Sequence, residues 1–288
     1  MTPVFILCAM RSYSSLICAM VGQHPDLYGL PEINLSVGDS VSDVQAFYAN
    51  RPHGMHGLIR VVAELEFGGQ TPETVEQAKA WIDQRKGWSS AQMLGWIEEA
   101  VAPRRIVDKS PVTVRSVDMM HRLHRMRPEA QFLHIIRQPA AVAKSIDRLH
   151  EEIDRQNGSN LRGRVNAENV WLRSNTNVLE FKEQMPPGVC LTLQGELFLG
   201  EYENYARQLC EWLDIRDDDD ALDAMLHPET SPYACMGPEG AEYGNDPNFL
   251  NNAVFKRRPI KVEPVDNGID GKPFNRRTRK LAREMGYA

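Results

Sequence analysis

The segment Met10-Arg11-Ser12-Tyr13-Ser14-Ser15 follows a short apolar run, Val4-Phe5-Ile6-Leu7-Cys8, and precedes Leu16, Ile17, Met20 and Val21 at helical spacing. A strand that turns into a helix here aims the unpaired N–H groups of the helix, and its dipole, at one point, which favours a bound anion. Arg11 adds a charged donor and Ser14 and Ser15 add hydroxyls, the equipment that a phosphate or sulfate group needs. The loop does not read G-x-x-x-x-G-K-[ST], so it lacks the lysine and the magnesium-binding hydroxyl of a Walker A loop. A serine-capped helix beside an exposed arginine has the same local sequence, so the segment alone decides nothing.

A second element stands in Arg137-Gln138-Pro139-Ala140-Ala141-Val142-Ala143-Lys144-Ser145. Arg137 closes the apolar run Gln131 to Ile136, and Ser145 follows eight residues later on the next helix. Pro139 suits the first position of that helix, where its missing N–H is not needed and its φ is already helical. Arg137 and Ser145 can therefore face one phosphate.

These two elements resemble those of the sulfotransferase family, whose members bind 3′-phosphoadenosine 5′-phosphosulfate (PAPS) through such a pair. The family's first loop reads roughly P-[RK]-[ST]-G-[ST]-[ST]-L and holds the 5′-phosphosulfate; Arg11, Ser12, Ser14, Ser15 and Leu16 match it. Its second reads R-[DN]-P with a serine at the eighth position after the arginine, and holds the 3′-phosphate; Arg137, Pro139 and Ser145 match. Met10 stands where the family has proline and Tyr13 where it has glycine. A positive φ is costly for tyrosine, so a less tightly curled loop is expected there.

Further segments resemble the bacterial and polyketide-tailoring members: His24-Pro25-Asp26-Leu27 with Leu30-Pro31-Glu32, Asp108-Lys109-Ser110-Pro111, and Gly244-Asn245-Asp246-Pro247-Asn248-Phe249. The resemblance implies Glu32 as catalytic base, Lys109 near the transferring group, and a late loop that folds back over the nucleotide. It also implies an α/β fold like that of P-loop NTPases, three layers around a mostly parallel sheet, with a helical cap. The cofactor set is then Arg11, Ser12, Tyr13, Ser14, Ser15, Arg137 and Ser145, with Arg257 and Arg258 as late arginines for the 3′-phosphate. Catalysis falls to Glu32, Lys109 and Arg11, without a metal. Sulfuryl transfer, like phosphoryl transfer, is an in-line displacement that needs positive donors around the transferring group.

His121 and His124, three apart on a helix with Arg122 and Arg125, are the alternative bases; polar residues on a basic helix face give the same pattern. His53 and His56 suit either acceptor contact or packing, and Trp171 and Trp212 suit the core. The expected acceptor is a hydroxyl, less readily an amine, of a small molecule, sugar, lipid or carrier-bound chain. Two rival classes are a P-loop nucleotide kinase or hydrolase, and a binding protein for the desulfated product PAP that does no catalysis.

The elements that must position these residues alternate between strand and helix. Strands are expected at Val4 to Cys8, Arg105 to Val107, Gln131 to Ile136 and Val189 to Leu193. Helices are expected from Ser14, over Val114 to Met126, after Pro139, over Ala167 to Glu183, and around Tyr205 to Leu213. Residues 54–100 read as a helical, acceptor-side block, and residues 227–274, rich in Pro, Gly, Asn and Asp, as a functional loop without a period. That order implies a mostly parallel sheet with ligands at the carboxyl ends of its strands. Asp217 to Asp220 reads as a solvated helix start, with a metal site the lesser reading.

At 288 residues the chain is near the upper size for one core, so a single domain over 1–288 is expected. Hydrophobic residues at 42% and charged residues at 25% exclude disordered and fibrous classes. A net charge of −6 argues against nucleic acid as partner, which leaves the anion site local. Five widely spaced cysteines without a C-x-x-C pair, no basic leader and no membrane-length apolar run point to the cytoplasm. The Asn157-Gly158-Ser159 sequon is then without meaning.

Overall fold

The computed structural model describes residues 2–157, 165–257, 259–260, 262, 264–269 and 271–287. Five parallel strands, β1 (Val4–Cys8), β2 (Leu27–Gly29), β3 (Arg105–Asp108), β4 (Gln131–Ile136) and β5 (Cys190–Gln194), lie in the order β2-β3-β1-β4-β5. The central strand β1 is apolar throughout because it is covered on both faces. Phe5 and Leu7 point into one core, with Phe132 of β4, while Val4, Ile6 and Cys8 point into the other, with Leu133 and Ile135.

The first face is covered by the three helices of the predicted block, α3 (His56–Phe67), α4 (Pro72–Asp83) and α5 (Ser90–Val101), together with α6 (Val117–Met126) and α8 (Ala167–Glu183). The second is covered by α1 (Ser14–Gly22), α9 (Gly195–Gly200), α10 (Tyr202–Leu213) and α11 (Asp219–Ala224). A third cluster joins α7 (Pro139–Asn157) and α8 to the last helix, α13 (Arg276–Glu284). Burying a Leu, Ile or Phe side chain in such cores contributes about 1.5–3 kcal/mol each.

Several elements differ from expectation. The strand at 27–29 and the helix α2 (Val41–Phe47) stand where no element was read. Ser40 and Asp43 close a capping box on α2. The helix read from Val114 begins at Val117, because Ser116 accepts the N–H of Asp118 and caps it there. Residues 227–274 are not featureless: they carry α12 (Pro247–Asn251) and bury Tyr233, Phe249 and Leu250. Asp218 caps α11, with Asp219 and Asp220 in its first turn, so the acidic run is a helix start. The sequon at 157–159 runs into residues outside those described.

Chain order places the site. From β1 the connection goes to the β2 and β3 side; from β4 it goes to β5. The order therefore reverses between β1 and β4, and an open α/β sheet offers its ligand crevice beyond the carboxyl ends at such a point. The loop 9–13 leaves β1 there, and Arg137 leaves β4 beside it.

Candidate active site

Arg11 and Tyr13 both take left-handed backbone conformations, with φ of 67° and 62°. The tight curl is thus kept without glycine, against the expectation of a looser loop. A left-handed residue with a side chain costs roughly 1–2 kcal/mol, and the Tyr13 ring has compensating contacts. It lies 3.9 Å from the Arg137 guanidinium and packs on Gly195, where a Cβ would stand 3.0 Å from Tyr13 Cδ2. Such a cation over an aromatic face contributes about 0.5–2 kcal/mol.

The loop after β1 and the turn after β4 meet through side chains. Arg11 donates from Nε to Ser145 Oγ at 3.0 Å, and Arg137 donates to the Arg11 carbonyl at 2.6 Å. Ser12 Oγ and Arg137 Nε are buried and have no hydrogen-bond partner among the described residues. Buried polar groups are nearly always paired, so an orphan hydroxyl in the loop after β1 and an orphan guanidinium N–H in the turn after β4 fit a site made for an anion. Burial pulls the Arg137 guanidinium below its ordinary range, with neighbouring Tyr13 and the Glu196 carboxylate opposing that fall.

Glu32 and Lys109 follow β2 and β3. Lys109 is fully buried and its Nζ lies 2.5 Å from Glu32 Oε1, while the Glu32 side chain keeps 29% exposure. Burial alone would pull the Lys109 ammonium down; the charge and hydrogen bond of Glu32 outweigh it, and its pKa is raised. Neighbouring Asp108 is pushed up to about 7 by burial, against hydrogen bonds from Ser110 and the Ile33 N–H.

Glu32 is held by its backbone. Its N–H donates to the Gly244 carbonyl at 2.7 Å, and α3 comes so close that a Cβ on Gly57 would stand 2.0 Å from the Glu32 carbonyl oxygen. Only glycine allows that approach. Two residues on, Asn34 donates from its N–H to Ser110 Oγ and from Nδ2 to the Gly54 carbonyl.

The late loop crosses both parts. Gly244 takes the Glu32 N–H, the Asp246 N–H donates to Ser15 Oγ, and the Asp246 carboxylate pairs with Arg11. Buried Arg60 of α3 fastens this loop, donating to the carbonyls of Tyr243 and Pro232. His56 stacks on Tyr243 at 5.8 Å and accepts its N–H. Burial lowers the His56 pKa, so this acceptor role is open to it at neutral pH.

The profile of the sulfotransferase family matches residues 3–219, 217 of the 288. The chain belongs to the sulfotransferase family. Two solved sulfotransferase domains resemble it over its whole length. That of the curacin biosynthetic pathway gives a TM-score of 0.80 at 23% identity, covering 100% of this chain and 98% of its own. That of the Synechococcus PCC 7002 olefin synthase gives 0.75 at 24% identity, covering 100% and 95%. No curated protein sequence matches. The fold is thus the P-loop-NTPase-like one of sulfotransferases, and the likeness to polyketide-tailoring members read from the sequence holds at the level of fold.

In this sulfotransferase Arg11, Ser12, Tyr13, Arg137 and Ser145 come together at the sheet's switch point, with Ser14 and Ser15 opening α1 beside them. Arg257 makes an exposed pair with Glu203 of α10, and Arg258 lies outside the described residues. His121 bonds Gln184 and packs on Phe181, and His124 packs on Phe132, so both face the α8 and β4 side. Trp212 is partly buried against the second core and donates to the Gly188 carbonyl, and Trp171 is fully buried and donates to the Arg137 carbonyl. Arg60 and Glu196 carry contacts at or around the site that their local sequence did not advertise, whereas Asp246 lies in the late segment 244–249 that the sequence singled out. Among the described residues no group of three or more His, Cys, Asp or Glu is disposed to hold a metal, and no helix is long and apolar enough to cross a membrane.

Proposed function

We propose that this sulfotransferase moves the sulfuryl group of PAPS onto a hydroxyl of a small-molecule, sugar, lipid or carrier-bound acceptor, in the cytoplasm. The observation that carries the reading is the contact of Arg11 with Ser145 and of Arg137 with the Arg11 carbonyl, with Ser12 Oγ and Arg137 Nε left orphaned and the Glu32–Lys109 pair at the ends of β2 and β3. Family membership makes PAPS the donor to test first.

In this account the loop 11–15 takes the 5′-phosphosulfate, and Arg137 with Ser145 takes the 3′-phosphate. Arg257 and Arg258 are further candidates for that phosphate; an exposed ion pair such as Arg257–Glu203 is weak enough to exchange for it. The Asp246 carboxylate, paired with Arg11, gives way to the donor's anion. The acceptor oxygen forms a bond to sulfur as the bond from sulfur to the bridging phosphate oxygen breaks, and the acceptor proton passes to Glu32. Lys109 and Arg11 hold the charge that builds on the sulfuryl and bridging oxygens. Such preorganised donors contribute several kcal/mol in a water-poor site.

The test is transfer from sulfur-labelled PAPS to a panel of hydroxylated acceptors. Label should appear in at least one acceptor together with an equal amount of PAP. PAP binding without transfer to any acceptor would favour a binding protein, and phosphate transfer from ATP with magnesium would favour a kinase.

A further inference from the structure

We propose that Trp171, Glu196 and Tyr287 clamp one peptide unit and thereby aim Arg137, setting the preference for a donor that carries a 3′-phosphate. The inference rests on the reading of Arg137 as the 3′-phosphate ligand.

The peptide unit joining Arg137 to Gln138 has one oxygen and one N–H. The oxygen accepts from Trp171 Nε1 at 2.7 Å, and the N–H donates to Glu196 Oε1 at 2.9 Å. Trp171 comes from α8 and Glu196 from α9, so two separate elements grip the two ends of one plane. The β4 register with β5 stops at Ile136 and Gln194, and α7 starts at Pro139. Between them, side chains bond both ends of the Arg137–Gln138 peptide unit.

The grip is itself anchored. The other carboxylate oxygen, Glu196 Oε2, accepts from the Tyr287 hydroxyl at 3.0 Å, and both side chains are buried. Burial, with the Glu196 charge beside it, drives the Tyr287 phenol above its ordinary range, so it remains a donor. Tyr287 is fixed at the end of α13, where its N–H bonds the Ala282 carbonyl and Gln194 Nε2 bonds the Met285 carbonyl. The last turn of the chain is thereby tied to the end of β5.

A plane held at both ends fixes ψ of Arg137, while the strand fixes the residue before it, so the direction of the arginine side chain is set. Tyr13 and the Arg11 carbonyl then hold the guanidinium, and Nε is left for a ligand. A site held to within fractions of an ångström is what distinguishes a strong phosphate contact from a loose one. These three are positioning residues, since none is proposed to touch the donor.

The test compares affinities for PAP and for AMP, which lacks the 3′-phosphate, by calorimetry on the full chain. Trp171→Phe keeps an aromatic ring, smaller than the indole, and removes the N–H; Glu196→Ala removes the acceptor, and Glu196→Gln restores one. Trp171→Phe and Glu196→Ala should each lower the PAP-to-AMP preference about tenfold, the scale of one hydrogen bond to a charged group, with AMP binding unchanged. Glu196→Gln should recover most of that preference, and Tyr287→Phe should lose part of it. Equal losses for PAP and AMP, or a wild-type preference in Trp171→Phe, would overturn the clamp while Arg137→Ala still lowers the preference. A wild-type preference in Arg137→Ala would overturn the donor reading beneath it. Should Glu196→Ala fail to fold, Trp171→Phe and Tyr287→Phe decide the matter.

Discussion

Glu32→Gln is expected to lower kcat about 10²–10⁴-fold with PAP affinity nearly unchanged. The amide keeps the shape of the side chain and one acceptor oxygen but cannot take the proton that leaves the acceptor hydroxyl. The backbone of Glu32 is bonded to Gly244 and packed on Gly57, so the substitution should not move the loop. Steady-state kinetics with the acceptor found by screening, beside calorimetry with PAP, separates the two quantities. Near wild-type turnover would remove Glu32 as base. His121 and His124 would then have to be tested, although their contacts with Gln184, Phe181 and Phe132 turn them toward α8 and β4.

Lys109→Met should cost about 10²–10³-fold in kcat, the usual effect of removing one preorganised donor from a developing oxyanion. Methionine matches the length of the lysine stem in a fully buried position, so packing is largely kept. The melting temperature should still fall, because Glu32 is left without its cation. Since Glu32 and Lys109 touch, their effects should not add: the double variant Glu32→Gln with Lys109→Met should resemble the poorer single variant. Kinetics of the four proteins forms the cycle. Losses that multiply would mean that the two residues act independently.

The two strand-to-helix turns proposed to hold the donor's phosphates were legible because each is a local pattern. Arg11 to Ser15 and Arg137 to Ser145 lie where an apolar run gives way to helical spacing, and the structure puts both at carboxyl ends of adjacent strands. The helix Ala167–Glu183 was legible for the same reason, as a long stretch with one apolar stripe. Leu27–Gly29 is too short for its period to register, and it is a strand because β3 pairs with it. Val41–Phe47 was readable in principle, since Ser40 and Asp43 form a capping box, but its apolar face is only Val41 and Val44. Tyr13 misled because propensity opposes a positive φ there, while the contacts with Arg137 and Gly195 act only in the folded chain. Trp171 and Glu196 owe their contacts with the Arg137–Gln138 peptide to a partner far away in sequence, and no local pattern marks such a contact.

The central claim is a donor site for a nucleotide that carries both a 5′- and a 3′-phosphate. Calorimetric titration of the wild-type chain with PAP, AMP and ATP with magnesium tests it without knowledge of the acceptor. PAP should bind most tightly and raise the melting temperature as mass action requires, with AMP weaker and ATP weaker than PAP. Tight binding of ATP with magnesium, with no binding of PAP at concentrations that saturate other enzymes of the family, would contradict the account.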